Sequence, residues 1–179
     1  MIKIKELKPV FTAEQIQAKV KELGEKISND YKGQNFICVG ILKGAFIFFA
    51  DLMKNISSTS AEVDFMRVSS YGSGMNSSGN IKVIDDVKFN PQNRNILIVE
   101  DLIDSGLTMK HIKNVFLERG AKSVRLCCLV NKSERREVDV NIDYYAFNLE
   151  KGFILGYGMD YDGKYRNLPA IYEAITQEL

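Results

Sequence analysis

One stretch of the sequence, NILIVEDLIDSGLT at residues 95–108, limits the folds open to this chain more than any other. The apolar run Ile96 to Val99 ends at the acidic pair Glu100-Asp101, and a third acid, Asp104, precedes a glycine turn and the periodic segment LTMKHIKNVFLERG. A short continuous apolar run is typical of a strand covered on both faces, and the periodic segment that follows predicts a helix. Strand–turn–helix units of this kind build parallel sheets with helices on both faces, so the sequence predicts the α/β class.

The rest of the chain alternates in the same way. Thr12 and Gln15 form a capping box in front of a predicted helix at residues 13–30. The other predicted elements, in chain order, are the strand NFICVGIL, the helix GAFIFFADLMKNI, the strand AEVDFMRVSSY, a strand or hairpin arm at IKVIDDVKF, the strand NILIVED, the helix LTMKHIKNVFLERG, the strand SVRLCCLV, shorter apolar pieces at DYYAFNL and FILGYGMDY, and a final helix LPAIYEAITQEL that begins near Pro169. The Gly/Ser/Asn-rich segment YGSGMNSSGN, residues 71–80, predicts a mobile loop because such composition buries little apolar surface. We expect a single domain over residues 1–179.

Charge and cysteine content argue against several classes of protein. The net charge is +1, which gives no reason to expect nucleic acid or a membrane surface as a partner. All three cysteines lie inside apolar runs, which is typical of buried reduced thiols and predicts a cytoplasmic protein. A single histidine without spaced cysteine pairs cannot supply a usual zinc ligand set.

Polar residues follow four of the predicted strands, at Lys43-Gly44, Ser70-Tyr71, Glu100-Asp101 and Lys132. The carboxyl ends of parallel strands share one edge of a sheet, and ligands of open α/β sheets bind at that edge. We therefore expect these groups to converge on one site.

The turn Asp104–Thr108 predicts what that site binds. Gly106 permits a tight turn, and the free amides at the start of the following helix can hold a phosphate. A simple helix cap by Asp104 or Ser105 is the alternative. Carboxylates beside a phosphate make sense where they face sugar hydroxyls or Mg²⁺, so the stretch predicts a site for a ribose 5-phosphate.

The segment ILIVEDLIDSGLT resembles the signature of type I phosphoribosyltransferases, which bind 5-phosphoribosyl-1-pyrophosphate. Four further segments follow the order and approximate spacing of the hypoxanthine-guanine phosphoribosyltransferases: LKG at 42–44, SSYG at 69–72, LVNKSERREVDV at 129–140 and GYGMDYDGKYRNLP at 156–169. The resemblance extends from about residue 36 to about residue 170. It implies the type I phosphoribosyltransferase fold, with a central parallel sheet of about five strands flanked by helices. The core would span about 12–150, and a small hood would come from about 1–11 and 151–179.

The resemblance also implies an activity. The chain would transfer the phosphoribosyl group from phosphoribosyl pyrophosphate to N9 of hypoxanthine, guanine or both, with Mg²⁺ as cofactor. Family members are dimers or tetramers, which implies a homodimer or homotetramer here. The sequence leaves open the preference among hypoxanthine, guanine and xanthine.

Roles for individual residues follow from the same resemblance. Asp104 matches the catalytic general base that accepts the purine N7 proton. The phosphoribosyl group would be held by Glu100, Asp101, Asp104, Ser105, Gly106, Leu107 and Thr108. Pyrophosphate would contact Lys43, Gly44, Ser70, Tyr71 and Arg166. The purine would contact Lys132, Phe153, Ile154 and Asp160, and Mg²⁺ would be held by Glu100, Asp101 and Asp160.

Without the resemblance, several of these residues have a plainer interpretation. Lys132 could be a solvated loop lysine, Phe153 could be core packing and Asp160 could cap a turn. Arg135-Arg136 is expected in a solvated loop or at a subunit contact, with anion binding as the alternative. Asn131 departs from the family, which often carries aspartate at that position.

Another function is possible on the same scaffold, that of a regulatory protein that senses phosphoribosyl pyrophosphate and binds RNA or DNA. Retention of the purine-side residues Lys132, Phe153 and Asp160 favours the enzyme, as does the balanced charge. A signalling receiver domain is disfavoured because its acidic strand comes first in the chain, whereas ILIVED is central here.

Overall fold

A computed structural model of the chain describes residues 2–58, 60–70 and 81–178. Its elements are β1 (Ile2–Phe11), α1 (Ala13–Asp30), β2 (Phe36–Leu42), α2 (Phe46–Asn55), β3 (Ala61–Ser70), β4 (Ile81–Asp85), β5 (Asn95–Ile103), α3 (Leu107–Glu118), β6 (Ser123–Lys132), β7 (Tyr144–Leu149), β8 (Ile154–Leu155) and β9 (Ile171–Glu178). The segment 71–80, for which a mobile loop is predicted, lies outside the described residues. No helix in the described part of the chain is long and apolar enough to cross a membrane.

The larger of two sheets has six strands in the order β4-β3-β2-β5-β6-β7. Strands β3, β2, β5, β6 and β7 are parallel, and β4 adds an antiparallel edge strand beside β3. The predicted parallel sheet of about five strands is therefore confirmed. The central strand β5 is the one that carries the acidic stretch, which places its carboxyl end in the middle of the ligand-binding edge.

Helices cover both faces of this sheet, and the side chains of β5 divide between them. Leu97 and Val99 pack in one core cluster with α1 and α2, whereas Ile96 and Ile98 pack in a second cluster with α3. Successive residues of a strand point to opposite faces, so a continuous apolar run is what a strand between two helical layers requires. The core thus holds β5 rigidly from both sides. The predicted capping box of α1 is present, with Gln15 N donating to Thr12 Oγ1 and Thr12 N donating to Gln15 Oε1.

The smaller sheet is antiparallel, in the order β1-β9-β8. It contradicts the final helix expected from LPAIYEAITQEL, because residues 171–178 form a strand. The N-terminal strand β1 pairs with β9 along nearly its whole length, and Ile171 is fully buried at the junction. Alanine and glutamate in this segment favour a helix only weakly, and pairing with two neighbouring strands outweighs that preference.

Candidate active site

A cavity of about 590 Å³ opens at the carboxyl ends of β5 and β6. Its lining residues are Glu100, Asp101, Leu102, Ile103, Asp104, Ser105, Gly106, Thr108, Met109, Lys132, Glu134, Arg135, Gly152, Phe153, Ile154, Met159 and Asp160. Residues predicted to contact the sugar, the phosphate, the purine and the metal therefore share one cavity, although they come from three separate segments. Lys43, Gly44, Leu107 and Arg166 lie outside this lining, Ser70 ends β3, and Tyr71 lies outside the described residues.

The turn between β5 and α3 is built around Gly106. This residue has φ +82°, in the left-handed region, and directly precedes the first residue of α3. A Cβ there would lie 3.1 Å from the Val138 carbonyl oxygen, so glycine is required by conformation and by space. Ser105 Oγ accepts a hydrogen bond from the Leu107 amide at 3.3 Å. The turn presents the start of α3 to the cavity, which is the geometry of an anion site.

Asp104 has a different role from that of a helix cap. Its Oδ2 accepts a hydrogen bond from Lys132 Nζ at 3.3 Å, and its Oδ1 accepts one from the Arg135 amide at 3.3 Å. Both donors belong to the end of β6 and the loop after it. The carboxylate is thus turned across the cavity, toward the purine side predicted for it, and away from the helix amides.

The acidic pair upstream lies at the base of the cavity. Glu100 Oε1 accepts from the Asp101 amide at 3.0 Å, and Asp101 Oδ1 accepts from the Leu102 amide at 2.8 Å. Burial, and then the charge of neighbouring Asp101, raise the pKa of Glu100 well above its ordinary value. Adjacent carboxylates of this kind are stabilised by a cation or by hydroxyl donors.

Magnesium fits this pair by the chemistry of its oxygen donors. The described residues hold no group of three or more His, Cys, Asp or Glu side chains arranged as a metal site. Mg²⁺ in phosphate-transferring sites is usually held by one or two carboxylates together with substrate oxygens, so a complete protein cage is unnecessary. Glu100 and Asp101 can provide those carboxylates.

Lys132 is the last residue of β6 and is only 5% exposed, which excludes a solvated loop lysine. Its ammonium contacts two carboxylates, Asp104 at 3.3 Å and Glu134 Oε2 at 2.9 Å. The hydrogen bond from Lys132 holds the pKa of Glu134 below its ordinary value. Glu134 also accepts from the Gly152 amide at 3.3 Å and so connects Lys132 to the opposite wall of the cavity.

That wall carries Phe153 and Ile154. Phe153 is 42% exposed, so it is not core packing, and its ring meets Tyr161 edge-to-face at 5.6 Å between centroids. Ile154 begins β8 and pairs with Glu173 of β9. An exposed aromatic ring held at the mouth of a cavity can stack on a planar ligand.

Asp160 and Arg166 contact each other directly, with Arg166 Nη2 2.6 Å from Asp160 Oδ1. Asp160 Oδ2 also accepts from the Gly163 amide at 2.8 Å, so Asp160 does cap a turn, and its contact with the metal stays a prediction. Arg166 Nη1 donates to the Gly158 carbonyl at 2.6 Å. One turn therefore carries both the carboxylate predicted for the metal and the guanidinium predicted for pyrophosphate.

The loop at Lys43-Gly44 packs directly under the acidic pair. The Leu42-Lys43 peptide bond is cis, and Lys43 is exposed. A Cβ at Gly44 would lie 1.8 Å from Asp101 Oδ2, and a Cβ at Gly158 would lie 2.1 Å from the Gly44 carbonyl oxygen. Two glycines thus allow this loop to touch the end of β5 on one side and the turn 156–159 on the other.

The solvated loop expected at Arg135-Arg136 is wrong for Arg136, which is partly buried, whereas the subunit contact stays a prediction. Arg135 is exposed, but Arg136 is partly buried and donates four hydrogen bonds to oxygens around the cavity. The Arg-Arg pair looked like an ordinary charged loop because nothing in the sequence shows which strand-end carbonyls need a donor. The structure shows that they meet at this side chain.

Comparisons with known proteins agree on the family. A family profile described as "Phosphoribosyl transferase domain" matches residues 9–162. The hypoxanthine-guanine phosphoribosyltransferase of Streptococcus mutans serotype c is 45% identical over 164 residues, which cover 92% of this chain and 91% of that protein.

Solved structures give the same result. A hypoxanthine phosphoribosyltransferase of Staphylococcus aureus superposes with a TM-score of 0.90 at 38% identity, covering 96% of this chain and 92% of the other. A hypoxanthine-guanine phosphoribosyltransferase of Bacillus anthracis, with a HEPES molecule in its active site, gives 0.89 at 39% identity, covering 97% and 100%. Agreement of sequence and fold over nearly the whole length leaves one assignment: this chain belongs to the phosphoribosyltransferase family, among the hypoxanthine-guanine phosphoribosyltransferases.

Proposed function

We propose that the chain is a purine-salvage enzyme that transfers the 5-phosphoribosyl group from phosphoribosyl pyrophosphate to N9 of hypoxanthine, guanine or both. The products are IMP or GMP and pyrophosphate. The observation that carries the proposal is the direct contact between Asp104 and Lys132 in one cavity, beside a phosphate-binding turn and an exposed aromatic ring.

The contact between Asp104 and Lys132 matches the chemistry of a 6-oxopurine. The O6 and N7 atoms of such a base are neighbours on one edge of the ring, so a donor to O6 and an acceptor for the N7 proton must also be neighbours. Lys132 donates to O6, and Asp104 takes the N7 proton as N9 bonds to the anomeric carbon. Phe153 stacks on the ring, and the backbone of Ile154 meets its edge.

The sugar and its phosphates occupy the other half of the site. The turn 104–108 holds the 5-phosphate with backbone amides and hydroxyls, and Glu100 and Asp101 face the ribose hydroxyls. Lys43, Gly44, Ser70, Tyr71 and Arg166 contact the departing pyrophosphate. Positive character develops on the ribose as the bond to pyrophosphate breaks, and the carboxylates beside the sugar stabilise it. Glu100, Asp101 and Asp160 would hold Mg²⁺ together with substrate oxygens, and the bound ion would neutralise pyrophosphate charge.

The proposed enzyme is a single domain with two parts. Residues of about 12–150 form the core and the smaller sheet with segment 151–179 forms the hood, within one domain. The enzyme is a homodimer or homotetramer. Two exposed apolar side chains on one face of β3, Val63 and Phe65, support an association surface. The buried free thiols of Cys38, Cys127 and Cys128 support a cytoplasmic location.

The proposal is tested by incubating the purified chain with phosphoribosyl pyrophosphate and hypoxanthine, with and without Mg²⁺, and separating the products by chromatography. We expect IMP and pyrophosphate in equal amounts, in the Mg²⁺-containing sample only. Folded protein that binds phosphoribosyl pyrophosphate but forms no nucleotide with hypoxanthine, guanine or xanthine would contradict the enzyme and favour the regulatory alternative.

A further inference from the structure

Arg136 reaches four oxygen atoms with a single side chain. Its Nε donates to the Asp104 carbonyl at 2.8 Å. Its Nη2 lies 3.1 Å from the Ile103 carbonyl, 3.0 Å from the Lys132 carbonyl and 2.7 Å from Asn131 Oδ1. The guanidinium is partly buried, so these contacts replace much of its hydration.

The four acceptors come from the ends of two adjacent strands. Ile103 and Asp104 end β5 and begin the phosphate turn, whereas Asn131 and Lys132 end β6. Ile103 and Asn131 are the last register partners of these two parallel strands. In the described part of the chain the ladder of β5 and β6 ends at this pair, and the Arg136 side chain bridges the two strands there.

Backbone contacts join the same segment to the turn. The amides of Glu137 and Val138 both donate to the Ser105 carbonyl, at 3.0 and 3.3 Å. The Arg135 amide donates to the Asp104 carboxylate at 3.3 Å. The turn itself therefore has backbone support that does not depend on the Arg136 side chain. What depends on the guanidinium is the spacing between the turn and Lys132.

We infer that Arg136 is a positioning residue that sets the separation of the Asp104 carboxylate and the Lys132 ammonium by holding the ends of β5 and β6 together. The inference rests on the proposed function, because it assigns Arg136 a part in aligning the two groups that meet N7 and O6 of the purine. Arg136 itself does not line the cavity.

Lysine cannot reproduce this arrangement. The guanidinium is a planar fork whose Nε and Nη2 donate in fixed directions, whereas an ammonium is a single point on a flexible stem. Arg136→Lys keeps the charge and loses the simultaneous contact with Ile103, Asp104 and Lys132. The consequence is a shift of Lys132 relative to Asp104, and displacements of about 1 Å in a reacting site lower rates by roughly 100-fold.

The test compares Arg136→Lys with Arg119→Lys. Arg119 also makes two guanidinium hydrogen bonds to one partner, Asp86, at 2.9 and 2.7 Å, but on the surface and far from the cavity. Both variants are assayed for kcat and KM with hypoxanthine, guanine and adenine, and their melting temperatures are measured. We expect Arg136→Lys to lose about 10- to 100-fold in kcat with 6-oxopurines. We expect KM for phosphoribosyl pyrophosphate to change by less than about threefold, because the turn keeps its backbone support.

The selectivity ratio separates positioning from a general structural role. Arg136→Lys should lower the ratio of hypoxanthine to adenine turnover, since only the oxopurine depends on Lys132, whereas Arg119→Lys should leave kcat and the ratio unchanged. Unchanged kcat in folded Arg136→Lys, or an equal loss for all bases with a lowered melting temperature, would overturn the inference. Where Arg136→Lys does not fold, Asn131→Ala removes one acceptor of the fork, and an unchanged ratio in that variant would overturn it too. Absence of oxopurine turnover in the parent chain would instead overturn the proposed function.

Discussion

At the scale of single residues, the site depends on charges held in fixed contact. Asp104, Lys132 and Glu134 form a chain of two ion pairs across the cavity, and Lys132 is buried between the two carboxylates. Burial of such a side chain is costly unless its polar group is paired, and each carboxylate provides Lys132 with a partner. The same pairing orients the Asp104 carboxylate toward the end of β6.

Asp104→Ala should lower kcat by about 100- to 10,000-fold, because general base catalysis contributes on that order. The dissociation constant of phosphoribosyl pyrophosphate should change by less than about tenfold, since the proposed 5-phosphate site is made of the turn amides and not of this carboxylate. Single-turnover kinetics and equilibrium binding measure the two quantities. Asp104→Asn is the matched control for shape, and it should lose rate to a similar extent. Equal losses in rate and in binding would show that Asp104 only binds.

Lys132→Met should lower kcat/KM for hypoxanthine by about 100-fold or more. The variant lacks the group proposed to donate to the oxo oxygen, and with it the preference for oxopurines. Adenine has no oxo group and does not depend on this donor, so the ratio of hypoxanthine turnover to adenine turnover should fall. Lys110→Met, an exposed lysine on α3, is the control and should match the parent. A ratio that stays constant in Lys132→Met would remove Lys132 from base recognition.

At the scale of elements, the site is made where loops from different strands approach closely. Glycine at positions 44 and 158 lets the loop after β2 contact both the end of β5 and the turn 156–159. Tyr157, in the same turn, donates from its hydroxyl to Asp51 Oδ2 of α2 at 2.6 Å, and Gln17 of α1 donates to the same oxygen at 3.2 Å. Burial raises the pKa of Tyr157, which keeps its hydroxyl protonated as a donor.

Gly44→Ala should lower kcat/KM by about 100-fold, because its Cβ would overlap the Asp101 carboxylate and displace either the acid or the loop. Gly33→Ala is the control, since a Cβ there meets nothing within 4 Å and only the left-handed φ of +73° opposes it. That variant should lose about 1–2 kcal/mol of stability and no activity. Activity of Gly44→Ala within about threefold of the parent would show that the contact with Asp101 is dispensable.

Tyr157→Phe should destabilise the protein by about 1.5–3 kcal/mol, the usual range for a hydrogen bond to a charged group. It should also raise KM for the purine, because the turn that follows Phe153 and Ile154 loses its attachment to α2. Tyr144→Phe removes a similar hydrogen bond to Asp30, at 2.8 Å and away from the cavity, together with one that the hydroxyl accepts from Arg125 at 2.6 Å. We expect a comparable loss of stability there, by denaturant titration, with KM unchanged. An unchanged KM in both variants would contradict the role of Tyr157.

At the scale of the whole molecule, the sequence predicted the central sheet but not the second sheet, and a cavity opens at the strand ends where the site is expected. Burial on both faces makes β5 a continuous apolar run, and such a run can be recognised locally. Strand β9 is defined by pairing with β1, whose residues lie 160 to 176 positions earlier in the chain, so tertiary context outweighs local preference. For the same reason the contacts of Arg136 could not be predicted from the sequence. Three of its four acceptors are backbone carbonyl oxygens, which every residue has.

The site residues also divide into those that one local segment places together and those that only the fold brings together. Glu100, Asp101, Asp104 and the turn at Gly106 lie within one short segment, so a prediction of their chemistry could start from spacing. The contact between Asp104 and Lys132 joins residues 28 positions apart in the chain. Predicting it required either the fold or the family resemblance. The cavity wall that carries Phe153 and Ile154 adjoins the smaller sheet, which exists only once both chain ends have paired.

The central claim is that this cavity selects a 6-oxopurine and attaches it to ribose 5-phosphate. The most direct test is kcat/KM for hypoxanthine, guanine, xanthine and adenine, measured in parallel with phosphoribosyl pyrophosphate and Mg²⁺. We predict rapid turnover of hypoxanthine, guanine or both, with adenine at least about 100-fold slower, because Lys132 has no oxo group to meet. Adenine turned over as well as the 6-oxopurines, or no turnover of any 6-oxopurine by folded protein, would contradict the claim.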